Sequence, residues 1–93
     1  MDLRARWQQF DALCRLAKGF EDLEVWAFGS ALRDEDPHDL DVLLIYDERA
    51  SVVAVRTARI WSETDPPCDI IAMTRAEERE YAFIHATGAV RFV

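Results

Sequence analysis

Three aspartates in this sequence have the type and spacing to hold a metal ion. Asp39 and Asp41 begin the apolar segment 39–46, and Asp69 is the second residue of the apolar segment 68–73. Side chains two positions apart on a strand share a face about 6.5 to 7 Å apart, so the first two carboxylates should repel each other and raise one pKa. Mg²⁺ binds one or two carboxylates and completes its coordination with water and phosphate oxygens. The pattern therefore predicts a Mg²⁺ site at Asp39, Asp41 and Asp69.

A Gly29-Ser30 pair supplies the complementary half of such a site. It follows the apolar segment 23–28 directly. Because glycine lacks a Cβ, a phosphate can approach its backbone, and the residues after it can begin a short helix whose free amides attract anions. The Ser30 hydroxyl adds a donor. A metal held by acids opposite an amide-lined anion site is the layout that phosphoryl or nucleotidyl transfer requires.

Hydrophobic periodicity assigns these residues to strands. Apolar residues at helical spacing follow Asp2, a predicted N-cap, and indicate a first helix that ends at Gly19. Segments 23–28, 39–46 and 68–73 predict strands, of which 39–46 is continuously apolar and should be central and covered on both faces. Segment 68–73 should be a short buried strand, in which burial of Asp69 is costly unless the acid is paired or binds a metal. Acids that open adjacent strands should converge at one edge of the sheet.

Two more helices are expected beyond the central strand. One is capped by Ser51, and its predicted apolar face contains Val53, Ala54, Thr57, Ile60 and Trp61. The other begins with the capping box of Thr74 and Glu77 and ends at Gly88, with Tyr81 and Ile84 directed inward.

The order helix, strand, strand, helix, strand, helix predicts an α/β (α+β) fold with a small mixed β-sheet flanked by helices. Residues 89–93 could add an edge strand or pack on a partner.

Composition limits the size and the partners of the fold. A chain of 93 residues, 51% of them hydrophobic, can bury one core, so residues 1–93 are expected to form a single domain. A net charge of -7 argues against wrapping long nucleic acid and suits either solubility or a basic protein partner.

No secretory signal and no membrane-spanning apolar run is recognisable, so a soluble, cytoplasmic protein is expected. Cys14 and Cys68 lack the spacing of a metal knuckle and should be buried thiols. Trp7, Trp26 and Trp61 are expected to be buried in the core or at an interface rather than to stack on a base.

Around the Gly-Ser pair and the aspartates, the sequence resembles the DNA polymerase beta nucleotidyltransferase superfamily. The matching string is Ala27-Phe28-Gly29-Ser30, eight intervening residues, and then Asp39-Leu40-Asp41-Val42. Asp69 matches the later strand acid of that family. The chain looks most like the minimal nucleotidyltransferases, a branch reduced to little more than the polymerase-beta-like palm. The resemblance covers residues 23–73 and continues more weakly to residue 88.

This resemblance implies two-metal transfer of a nucleoside monophosphate, AMP by preference, from NTP to a hydroxyl group, with release of pyrophosphate. Asp39 and Asp41 would bridge two Mg²⁺ ions, and Asp69 would bind the catalytic metal and help to deprotonate the acceptor. Gly29 and Ser30 would hold the β and γ phosphates of the NTP, ATP being the expected substrate. Many minimal nucleotidyltransferases are paired with an all-helical HEPN protein, as antitoxins that can AMPylate the toxin, and the resemblance implies such a partner here.

The sequence also departs from the family pattern. The spacer is at the short end of the family's range, His38 stands where a serine often precedes the first aspartate, and no arginine directly follows the Gly-Ser pair. Arg33 is the candidate that would compensate by binding phosphate, and a solvated loop arginine is the alternative.

Two other functions compete with the enzyme. A catalytically weak or inactive palm could act as a protein-binding module that neutralises a toxin, as a heteromer or a homo-oligomer. An aminoglycoside-type transferase is disfavoured because so short a chain offers little wall for a drug-sized pocket.

Overall fold

The computed structural model describes residues 2–93, which contain a four-stranded mixed sheet with helices packed against both faces. The strands are β1 (Glu24–Phe28), β2 (Leu40–Tyr46), β3 (Cys68–Thr74) and β4 (Val90–Arg91). Their order is β3-β2-β1-β4, with β2 parallel to β3 and β1 antiparallel to both β2 and β4. This arrangement confirms the predicted α+β class, and it is consistent with a polymerase-beta-like domain.

The helices are short, and two predicted ones are interrupted. They are α1 (Leu3–Arg6), α2 (Gln8–Ala17), α3 (Arg49–Ala58), α4 (Arg75–Tyr81) and α5 (Phe83–Thr87). Asp2 caps α1 as predicted, accepting from the Arg4 N–H at 3.0 Å, but the extended backbone of Trp7 (φ -122°, ψ 108°) separates α1 from α2. Ala82, in the left-handed conformation at φ 50°, separates α4 from α5.

The larger core lies on the face of the sheet that packs against α2 and α3. Alternate residues of β2, such as Val42 and Leu44, point to this face and are fully buried, as are Leu13 of α2 and Val55 of α3. Trp61, in a 3-10 turn after α3, closes the same core and is 4% exposed. Trp7 and Trp26 are half-buried and pack against the two buried clusters, so full core burial is observed for Trp61 alone among the three.

The opposite face of the sheet is covered by α4 and α5. Leu43, Ile45 and Met73 form a second buried cluster there, against which Phe83 and Ile84 pack. Because both sets of β2 side chains are buried, the prediction of a central strand covered on both faces is confirmed.

The predicted face of α3 is wrong. Val52 and Val55 point into the core, whereas Val53 and Ile60 are 47% and 62% exposed, and the helix ends at Ala58 before Ile60. Ser51 is not its N-cap either, because the helix begins two residues earlier, at Arg49.

A distant side chain holds the start of α3 instead. The Asp22 carboxylate accepts from the N–H groups of Asp47 and Glu48, at 3.2 and 2.8 Å, and from the Ser51 hydroxyl at 2.7 Å. The buried face of α3 is the one that carries Val52 and Val55, because packing against the sheet decides which face is buried. Asp22, far away in sequence, holds the helix start that the sequence assigned to Ser51.

The capping box that begins α4 is present as predicted. The Glu77 N–H donates to the Thr74 hydroxyl at 3.1 Å, and the Thr74 N–H donates to the Glu77 carboxylate at 2.8 Å. Gly88 ends α5 in the left-handed conformation, also as predicted. Tyr81 is an error of the sequence analysis, since it is 62% exposed, while Ile84 does pack inward.

Strand β3 lies at the edge of the sheet, so the expectation of a buried strand is wrong. Cys68 and Met73 are buried, but Asp69 is exposed and Ile71 is 38% exposed. The short terminal strand β4 confirms the expected edge strand at the chain's end.

The two cysteines are buried and unpaired, as predicted. Burial raises the pKa of the Cys14 thiol to about 12 and also raises the pKa of Cys68. None of the helices in residues 2–93 has the length and apolar character needed to cross a bilayer.

Candidate active site

The last residues of β1 and the first residues of β2 and β3 lie at the same end of the sheet. This follows from the strand directions, because β1 runs antiparallel to β2 while β2 and β3 are parallel. The register places Asp41 between Phe28 of β1 and Asp69 of β3. Neighbouring strands are about 4.8 Å apart and paired residues point to the same face, so the side chains of Asp41 and Asp69 lie side by side.

Gly29 contacts the Asp41 carboxylate closely. It follows Phe28 directly with φ +74°, a conformation that L side chains rarely adopt. A Cβ placed on Gly29 would overlap the Asp41 Oδ2, so that one of the two groups would have to move. Glycine is therefore required here both by the backbone and by the space that the carboxylate occupies.

The electrostatics of Asp41 reflect its position among the acids. Burial is the largest cause of its raised pKa, followed by repulsion from Asp69 and then from Asp39. The spacing of Asp39 and Asp41 predicted a raised pKa from their mutual repulsion, but burial of Asp41 and its neighbour Asp69 on β3 raise this pKa more. Asp41 is half-buried, whereas Asp39 and Asp69 are exposed, so Asp69 does not carry the cost of burial that was expected of it.

These carboxylates have the donor chemistry that a hard divalent cation prefers, since all three offer oxygen and repel one another when ionised. Asp41 gains most from such a cation because it is the least solvated. The three side chains do not form a complete set of metal ligands. Within residues 2–93, no three His, Cys, Asp or Glu residues are arranged to hold a metal ion.

The Gly-Ser pair opens a short 3-10 turn, Gly29–Leu32, rather than an α-helix. Ser30 is half-buried, and its carbonyl accepts from the N–H groups of Arg33 and Asp34 at 3.0 and 2.8 Å. No side chain caps this turn, because Phe28, at the cap position, makes no such bond. The Arg33 side chain is exposed, and none of the ion pairs found in residues 2–93 joins it to Asp39, Asp41 or Asp69.

A cavity of about 510 Å³ lies beside Asp69, on the free edge of β3. The end of α3 contributes Arg56 and Arg59 to its wall, and Ile60 and Trp61 form an apolar part. Sequence reasoning missed this site, because the helical periodicity was assigned in the wrong register and α3 was not recognised as ending beside β3. The pair of arginines three residues apart was the one available signal.

The family model for the nucleotidyltransferase domain matches residues 8–91. The chain belongs to the nucleotidyltransferase domain family. No curated protein matches it. The match extends from α2 to β4 and includes the Gly-Ser turn and all three aspartates, which confirms the resemblance found in the sequence. As a nucleotidyltransferase domain, the chain has a transferase role with a nucleoside triphosphate as substrate.

Proposed function

We propose that this nucleotidyltransferase moves AMP from ATP to a hydroxyl group of a protein or small-molecule acceptor, in the cytoplasm and with Mg²⁺. The observation that carries the proposal is the position of Asp41. Its carboxylate lies against the bare Cα of Gly29 on one side and pairs in register with Asp69 on the other. A phosphate site and an acidic site are thereby adjacent on one edge of the sheet.

In this proposal Asp39, Asp41 and Asp69 hold two Mg²⁺ ions. When bound, the metal supplies positive charge that offsets the charge developing on the phosphate oxygens. Gly29 lets the β and γ phosphates approach the backbone, the Ser30 hydroxyl donates to a phosphate oxygen, and Arg33 adds a guanidinium from the loop. These groups orient the triphosphate so that its α-phosphorus faces the acceptor.

Asp69 has the exposure that a proton acceptor needs. The acceptor hydroxyl oxygen forms a bond to the α-phosphorus, the bond from that phosphorus to the bridging oxygen breaks, and pyrophosphate leaves. The proton of the hydroxyl passes to Asp69 and then to solvent. Because Asp69 is exposed on an edge strand, it can reach an acceptor that Asp41 cannot.

The protein partner that we propose is a helical HEPN-type toxin, for which this chain is the antitoxin. The net charge of -7 supports a basic partner surface. The toxin is then the binding partner and one of the two acceptors compatible with the proposal, the other being a small molecule.

The test is transfer of label from α-labelled ATP, with Mg²⁺, to a co-expressed helical partner. Asp41→Ala is expected to lower transfer at least about a hundredfold, the scale of removing one group that stabilises the reacting charge. Glu80→Ala, which removes an exposed acid on α4, is the matched control and should retain transfer. GTP, CTP and UTP in parallel identify the base.

The same variants separate the enzyme from a neutralising module. If Asp41→Ala still inhibits the toxin fully and wild type transfers no label from any of the four nucleotides, the chain acts by binding and the proposed transfer is rejected. Loss of inhibition together with loss of transfer supports the enzyme.

A further inference from the structure

The cavity between the end of α3 and the edge strand β3 has the size of a small-molecule site. Its volume of about 510 Å³ is within the range of roughly 300 to 1,000 Å³ that ligand pockets occupy. It has an apolar wall at Ile60 and Trp61 and a charged wall at Arg56 and Arg59, and Asp69 also lines it. The length of the chain alone had predicted little wall for a pocket of this size.

The two arginines are held by contacts other than carboxylates. The Arg56 Nη2 donates to the backbone carbonyl of Ile70 at 3.3 Å, and the Arg59 guanidinium lies 5.6 Å from the centre of the Trp61 ring. No ion pair found in residues 2–93 includes either of them. Their remaining N–H donors are therefore available to an anion.

This local charge is opposite to the charge of the whole chain. The sequence carries a net charge of -7, yet two arginines, Arg56 and Arg59, line this cavity beside the edge strand β3. Arginine presents a planar set of donors that binds carboxylate or phosphate through two parallel hydrogen bonds. The arrangement suits an anionic ligand and disfavours a polycationic one such as an aminoglycoside.

We infer that this cavity binds the acceptor, and that the acceptor is a hydroxyl compound bearing a phosphate or carboxylate group. The inference rests on the proposed nucleotidyl transfer, in which Asp69 receives the acceptor's proton. Arg56 and Arg59 hold the anionic group, and Trp61 and Ile60 contact its apolar part. The hydroxyl of the bound acceptor then lies beside Asp69, between the cavity and Asp41.

Binding can be tested without nucleotide or metal, using inorganic phosphate as the probe. The NMR signal of the Trp61 indole N–H, which donates to the Val55 carbonyl at 2.9 Å, reports on the cavity wall. Phosphate should shift this signal saturably and leave those of Trp7 and Trp26 in place. In Arg56→Gln/Arg59→Gln the phosphate Kd should rise at least about tenfold, because a charge-assisted hydrogen bond is lost with each guanidinium.

A matched control removes the same charge elsewhere. Lys18→Gln/Arg79→Gln also takes away two exposed positive charges, at the end of α2 and on α4. Its phosphate Kd should stay within about twofold of wild type, since screened surface charges act weakly over distance. An equal loss of affinity in both double variants, or no saturable shift in wild type, would overturn the anion site.

Acceptor use is tested with glycerol 3-phosphate against glycerol, which share hydroxyl groups and differ in the phosphate. Wild type should AMPylate glycerol 3-phosphate at least about tenfold more efficiently, and Arg56→Gln/Arg59→Gln should lose that preference while its ATP affinity is unchanged. Equal use of both compounds would show that Arg56 and Arg59 do not bind the anionic group of the acceptor. Weaker ATP binding in the variant would show that they bind the nucleotide instead. Phosphate binding without any transfer would keep the anion site and reject the proposed function.

Discussion

At the scale of single residues, Gly29 is the position where the end of β1 lies against the Asp41 carboxylate. Two separate costs apply to a side chain there, the positive φ and the contact with Asp41. Gly88 has nearly the same conformation, φ +68°, but a Cβ on it would meet nothing within 4 Å among residues 2–93 beyond its chain neighbours. Comparing alanine at the two positions therefore separates backbone strain from the close approach.

We expect Gly88→Ala to lower the free energy of unfolding by about 1 to 2 kcal/mol, the cost of a left-handed alanine. Gly29→Ala should cost about 1 to 3 kcal/mol more, the range of overpacking, because its Cβ must displace the Asp41 carboxylate. Urea denaturation measures both values.

The excess should disappear in an Asp41→Ala background, where the nearest remaining atom, the Asp41 Cβ, is 3.6 Å away, an ordinary contact. Equal costs at the two glycines in wild type would contradict this account.

Asp41 also makes stability depend on pH. Burial and two neighbouring acids raise its pKa in the folded state above 3.8, so the folded chain retains this proton to a higher pH than the unfolded chain does. Ionisation of Asp41 therefore lowers the stability as the pH rises through the folded pKa.

Asp41→Asn should be more stable than wild type at neutral pH, and the difference should shrink towards zero as the pH falls below about 3.8. Urea midpoints of the two proteins between pH of about 3 and 7 measure this. If the difference in stability between Asp41→Asn and wild type is constant across this range, ionisation of Asp41 does not destabilise the fold.

At the scale of elements, the start of α3 depends on Asp22. Hydrogen bonds from the Ser51 hydroxyl and then from the Glu48 backbone lower the pKa of Asp22. Asp22→Ala should lower the free energy of unfolding by about 1 to 2 kcal/mol, as loss of a helix cap does. Because the folded pKa is depressed, this contribution is present above about 3.8 and is lost as the pH falls through the folded pKa.

Thermal unfolding at neutral and acidic pH checks both statements. Ser51→Ala removes one of the three bonds and serves as the partial control. If Asp22→Ala lowers the free energy of unfolding no more than Ser51→Ala does, the hydrogen bonds from the Asp47 and Glu48 N–H groups contribute nothing to stability.

The sequence predicted the elements whose signals are local. The capping box of Thr74 and Glu77, the apolar run of β2 and the turn at Gly29 each depend on residues within a few positions of one another. The errors occurred where a distant residue decides the outcome. Asp22 holds the start of α3, where the sequence indicated Ser51, and the place of β3 at the sheet edge determines how exposed Asp69 is.

The candidate site follows the same division. The nearness of Gly29 to Asp41 follows from the successive strands that the sequence indicated, whereas Asp39 lies just before β2, which begins at Leu40. The cavity beside Asp69 does not follow from those strands, because its walls come from the end of α3 and from β3, which only the tertiary fold brings together. No local pattern around Arg56 or Arg59 specifies that contact.

At the scale of the whole molecule, the two faces of the sheet are covered by hydrophobic cores of different size. The face under α2 and α3 has an extensive buried core, whereas Leu43, Ile45 and Met73 form a small one under α4 and α5. Each face has one edge-to-face aromatic pair, Phe10 with Phe92 and Phe28 with Phe83, both with ring centres 5.0 Å apart. The second pair matters for function because Phe28 precedes Gly29.

This asymmetry predicts different outcomes for the same truncation on the two faces. Phe10→Ala, at a residue that is 2% exposed, should cost about 3 to 5 kcal/mol and accelerate amide exchange throughout the sheet. Phe83→Ala should cost about 1 to 3 kcal/mol, because Phe83 is only half-buried, and should accelerate exchange mainly in residues 75–87.

Since Phe83 also holds the strand end that carries Gly29, its loss should weaken ATP binding while β1 and β2 stay protected. Hydrogen exchange with and without ATP measures both effects. Uniform exchange in Phe83→Ala would mean that α4 and α5 are part of one cooperative unit with the main core, and the small second cluster would then not be the separate support for the site that its packing indicates.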